Sequence, residues 1–132
     1  MKLHRFTRPL LIALLTATGL FLATGCTHVR EATNDAVAWV RGALQTTLDA
    51  SLEDTVAATT KALKNLQFSE IASRADALAG VVTAKTALGE KIEITLTALT
   101  PTTSRIDIRV GSFGDEPVSQ RILGEIQIAL RD

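Results

Sequence analysis

Glu90-Lys91-Ile92-Glu93-Ile94-Thr95-Leu96-Thr97-Ala98-Leu99, then Thr100-Pro101-Thr102-Thr103, then Arg105-Ile106-Asp107-Ile108-Arg109-Val110-Gly111 is the stretch that decides the fold. Ile92, Ile94, Leu96 and Ala98 alternate with Lys91, Glu93, Thr95 and Thr97. Period two marks a strand with one face buried and the other in water. Ile106, Ile108 and Val110 repeat the pattern against Arg105, Asp107 and Arg109. The residues between them place a proline where a turn accepts one. So short a connection makes the two strands antiparallel neighbours.

Working outward, Leu88-Gly89 supplies a tight turn, and Leu78 to Thr86 reads as a strand centred on Val81 and Val82. Phe68 to Arg74 reads as a weaker strand. Ser51-Leu52-Glu53-Asp54 fits a helix-capping box. It opens a helix to Leu66 whose stripe is Leu52, Val56, Thr59, Leu63 and Leu66. Before it, Ala36 to Leu48 reads as one strand, with Val40, Gly42, Leu44, Thr46 and Leu48 inward and Trp39 on the polar side. A helix competes there on composition. Beyond Gly111-Ser112-Phe113-Gly114, Asp115 caps a last helix with Pro117 in its first turn. Its stripe is Val118, Ile122, Ile126 and Leu130. Gly124 should weaken that helix unless something packs closely against it.

The expected fold is α+β, in the order β-α-β-β-β-β-α. An antiparallel sheet of four to five strands would carry both helices on one face and leave a threonine- and charge-rich face wet. A signal-peptide helix would precede it.

That signal occupies residues 1–25. Lys2, His4, Arg5 and Arg8 make a basic head, Leu10 to Leu22 an apolar run, and Ala23, Thr24 and Gly25 a small-residue site. A membrane-spanning helix needs about 20 apolar residues, and this run is shorter. Cys26, the only cysteine in the chain, follows directly. Leu22-Ala23-Thr24-Gly25-Cys26 resembles the lipobox of bacterial lipoproteins, although Ala23 stands where leucine is usual. The resemblance implies a diacylglycerol joined to the Cys26 thiol by a thioether, cleavage before Cys26, and a palmitate-like acyl chain on the amine so freed. Each buried methylene contributes about 0.8 kcal/mol, so two or three chains anchor firmly where one does not. Residues 26–35 then form a tether and residues 36–132 one small domain. Where bacteria sort lipoproteins by the residue after the cysteine, an aspartate retains them in the inner membrane. Thr27 therefore points to the outer membrane, on its periplasmic side.

Composition narrows the function. The mature chain would carry eleven bases against fourteen acids. Nucleic-acid affinity rests on neutralising phosphates, so no nucleic-acid partner is expected. Acylated, Cys26 leaves no thiol for a disulfide, a metal or nucleophilic catalysis. The mature chain's single histidine, His28, lies in the tether and cannot complete a Ser-His-Asp set on the domain. Glu90 and Glu93 do not share a face. Arg105, Asp107 and Arg109 read as a solvated row. Gly111 to Glu116 is no phosphate loop, because Asp115 and Glu116 occupy the helix end where an anion would bind. No metal site, cofactor or enzymatic activity is expected. Phe113, between two glycines, is read first as a plug at the sheet–helix corner and second as an exposed anchor for a partner.

Three stretches resemble one known group: Val40-Arg41-Gly42-Ala43-Leu44 with Leu48-Asp49-Ala50-Ser51-Leu52, Asp76-Ala77-Leu78-Ala79-Gly80, and Arg109-Val110-Gly111-Ser112-Phe113-Gly114-Asp115-Glu116. The group is the small bacterial lipoproteins carrying domain of unknown function 3568. The resemblance implies a lipid-anchored envelope protein and supplies no activity or ligand. The functional expectation is a non-enzymatic interaction module facing the periplasm, tethered to the membrane through Cys26 and meeting an envelope protein by a sheet face or edge. The alternative is a periplasmic binder of a small ligand held between sheet and helices.

Overall fold

Alternation over Lys91–Thr100 and Thr103–Val110 builds the two longest strands, and they pair as expected. Ile92 lies opposite Val110, Ile94 opposite Ile108 and Leu96 opposite Ile106, all buried. Each such side chain contributes about 1.5–3 kcal/mol of burial. The structure, a computed structural model, describes residues 36–132. The signal stretch, Leu22 to Cys26 and the tether lie outside the described residues.

The elements are β1 (Ala38–Val40), β2 (Ala43–Leu48), α1 (Leu52–Asn65), β3 (Ser69–Ala75), β4 (Ala79–Lys85), β5 (Lys91–Thr100), β6 (Thr103–Val110) and α2 (Glu116–Ala129). The strands form one antiparallel sheet in the order β1-β2-β6-β5-β4-β3. α1 packs on β3, β4, β5 and β6, and α2 on β6 and β2. The core lies between this helix layer and the sheet, where Leu44, Leu63, Val82, Ile94, Ile108, Ile122 and Ile126 are buried. On the other face Glu93, Thr95, Thr97, Arg105, Asp107 and Arg109 meet solvent.

Both helices are capped as their sequences require. The Ser51 hydroxyl accepts from the Asp54 amide, and the Asp115 carboxylate from that of Val118. The α1 stripe is broader than the apolar spacing suggests. Thr55, Ala58 and Ala62 are buried too, and the Thr55 hydroxyl meets that of Ser104 on β6 at 2.8 Å.

Among the described residues the sheet has six strands rather than four to five. The extra one comes from Ala36 to Leu48, which is a hairpin and not a single strand. Arg41 and Gly42 both take positive φ, +50° and +76°, as a two-residue turn of this hand requires. The turn pairs Trp39 with Leu44 and Val40 with Ala43. Trp39 therefore lies on the helix-bearing side of β1, not the polar side, and Val40 faces outward with 43% exposure.

Candidate functional site

The candidate site is the rim where the β1–β2 turn meets the β6–α2 loop. Two of the three stretches singled out in the sequence come together here. At Gly114 (φ +88°) a β-carbon would lie 2.9 Å from the Gly42 α-carbon, and at Gly42 it would press on the Phe113 carbonyl. The two backbones are in direct contact, and only glycine permits it. Arg109 ties the junction from below. Its guanidinium donates to the Arg41 carbonyl at 3.2 Å and to the Ser112 carbonyl at 3.4 Å. Arg109, read in the sequence as part of a solvated row, thus has a positioning role that its alternation with Asp107 did not signal. Asp107 also has a partner, accepting from the Gln45 side chain across β2 and β6.

This clamp holds Phe113 out in solvent, 93% exposed. The expectation that Phe113 plugs the sheet–helix corner is overturned. That corner is already closed by Gly42 and Gly114, whose contact leaves no room for a phenyl ring. Leu88, at the tip of the β4–β5 turn on the same rim, is 89% exposed. Val40 ends β1 beside them. A shallow cleft of about 610 Å³, lined by Glu90, Lys91, Glu93, Arg109, Gly111 and Ser112, runs between the loops on the open face.

The third stretch lies at the opposite rim, in the β3–β4 turn. The Asp76 carboxylate accepts from the amides of Leu78 at 2.8 Å and Ala79 at 2.9 Å. Those two bonds hold its carboxyl below the usual aspartate range. They fasten the turn and bring no second titrating group to it.

Beside that turn, β3 forms the far edge of the sheet. Glu70 makes a 2.7 Å ion pair with Lys85 on β4. A bulge interrupts the register between Ser69 and Ala72, with Glu70 at φ +51°. A cleft of about 500 Å³ opens between α1 and Ser73 of β3, lined by Val56, Ala57, Thr60 and Lys64 among others. The weak strand character of Phe68 to Arg74 was the only sequence sign of an edge.

Among the described residues no group of three His, Cys, Asp or Glu side chains is placed to hold a metal, and no helix is long and apolar enough to cross a membrane. Cys26, Leu22, Ala23, Thr24 and Gly25 lie outside those residues. One family model, described as a protein of unknown function (DUF3568), matches residues 9–129. No curated protein matches the chain.

Proposed function

We propose that this chain, which belongs to the DUF3568 family of proteins of unknown function, is a lipid-anchored bacterial envelope protein whose domain is a non-enzymatic interaction module. Cys26 carries the lipid, the domain faces the periplasm, and the outer membrane is the destination. The observation that carries the interaction reading is Phe113. A phenyl ring in water forfeits about 1.5–3 kcal/mol of burial. Here the backbone clamp of Gly42 and Gly114 holds it there. Leu88 and Val40 extend the apolar tips along the same rim. Such a rim suits contact with another envelope protein. The centre of the space between sheet and helices is filled by buried side chains and the clefts beside α1 are open to solvent, which favours this reading over a ligand held inside.

The test is the intact mass of the membrane-extracted protein, wild type beside Cys26→Ser. Residues 26–132 plus acyl chains in the wild type, with the acyl mass lost in the variant, is the expected result. An unmodified chain beginning at Met1, or cut elsewhere, overturns the anchor.

A further inference from the structure

We infer that the β3 edge pairs with the β3 edge of a second copy of this chain, joining two six-stranded sheets across a two-fold axis at Ala72. β3 ends the sheet, and its outer side has no partner among the described residues. All of its residues except Ile71 are exposed. An unpaired edge accepts another strand unless its charges forbid it. β3 carries two charges. Arg74 lies opposite Val81, on the open face of the sheet, and Glu70 reaches Lys85 on that same face.

These charges select the occupant. In an antiparallel pair related by a two-fold axis, opposed residue numbers have a constant sum, and opposed side chains share a face. An axis at Arg74 sets arginine against arginine. An axis at Ser73 sets Arg74 against Ala72 and Glu70 against Asp76. An axis at Ile71 sets Glu70 against Ala72. The bulge sets Glu70 outside strict opposition, but its ion pair with Lys85 keeps the carboxylate on the open face, and the axis at Ala72 brings the Arg74 of each copy to the Glu70 of the other. Each Glu70 then lies between its own Lys85 and the arginine of the other copy. Ala72 meets itself on the axis, and no bulky side chain stands in the way. On the helix-bearing face half-buried Ile71 comes opposite Ser73 of the second copy, a residue that lines the cleft beside α1. The charges that keep other strands off this edge are thus satisfied by its own sequence. The inference goes beyond the envelope reading and does not depend on acylation of Cys26.

The test is disulfide trapping in cells that make the full chain. Ala72→Cys is oxidised mildly and compared with the unsubstituted chain, whose own band measures any contribution from Cys26. Directly opposed residues bring their α-carbons within disulfide range. A band at twice the chain mass is expected, with Ala38→Cys on β1 remaining at the baseline. Adding Glu70→Arg or Arg74→Glu sets two like-charge pairs face to face and should lower the trapped fraction about tenfold. The double exchange, Glu70→Arg with Arg74→Glu, should restore it. A monomeric Ala72→Cys with an unchanged circular dichroism spectrum overturns the inference. So does trapping indifferent to the charge changes, or an adduct of any mass other than the dimer.

Discussion

At one edge of the sheet β1 contributes three residues and ends in a turn pressed against the Gly111–Gly114 loop. At the other, β3 contributes seven, bulged once and bordered by a cleft. Among the described residues both edges present unpaired backbone groups, and each is managed by a different device. The β1 edge is kept short and is locked by backbone contact that only glycine permits. The β3 edge is left long and is guarded by charge. Locking fixes a surface, here the rim that carries Phe113. Guarding by charge leaves an edge open to a strand of matching charge. The lesson is that an edge can be closed by geometry or made selective by electrostatics, and one small sheet uses both.

The largest expected effect breaks the lock. Gly114→Ala would put a β-carbon against the backbone of Gly42 and hold a left-handed φ that alanine disfavours. It should destabilise the domain by about 3 kcal/mol, read as a lowered urea midpoint at unchanged slope. Gly42→Ala should fall in the same range, because its β-carbon meets the Phe113 carbonyl. A loss under about 1 kcal/mol would mean that the two turns separate easily and that Phe113 is not held in place.

This lock was only partly legible in the sequence. The β5–β6 hairpin could be read because its alternation is unbroken and its turn holds a proline. The β1–β2 hairpin could not. A two-residue turn reverses the chain and shifts which parity faces inward, so Trp39, not Val40, joins the side of Leu44. Over so short a strand the two parities look alike, and Gly42 was the sole local sign of a turn. Without that turn the place of Phe113 cannot be read either, since the neighbour of Gly114 is Gly42. Strand order was equally hidden. β3 has no alternation to read, since only Ile71 is half-buried, and nothing in its sequence tells that its outer side ends the sheet. The motif from Leu22 to Cys26, on which the proposed anchor rests, lies outside the described residues.

Two further glycines sharpen the contrast. Gly124 sits in α2, over the β2–β6 half, with nothing within 4 Å of a β-carbon placed there. Gly124→Ala should therefore stabilise the domain by about 0.5–1 kcal/mol, since only the helix-propensity penalty is removed. Gly80 on β4 faces the β3 half. Its β-carbon would meet the Val56 side chain at 3.1 Å and Ala75 Cβ at 3.2 Å. Val56 is half-buried and can give way, so crowding and the gain in chain stiffness should offset to within about 1 kcal/mol. Equal and large losses at Gly80 and Gly114 would erase the distinction between an edge locked by backbone and one bordered by yielding side chains.

The smallest effect concerns how the β3 edge is fastened at its own rim. Asp76 holds the β3–β4 turn through the amides of Leu78 and Ala79, in full contact with water. Both bonds favour the ionised carboxylate and lower its folded pKa, with the first-mentioned amide contributing most. A folded pKa below the unfolded one stabilises the fold above the unfolded value, near pH 3.9, and the gain is lost as pH falls through the folded value. Asp76→Ala should thus lie slightly below wild type in stability at neutral pH. The gap should narrow from about pH 4 downward as the wild-type carboxylate takes up its proton. Urea unfolding of both proteins at neutral pH, near pH 4 and near pH 2.5 reads the gap directly. Gly114→Ala provides the contrast, because its loss is steric and should not follow the titration of Asp76. If the Asp76→Ala gap held constant across that range, the turn would be fastened by side-chain shape alone, and both rims of the sheet would be secured by geometry.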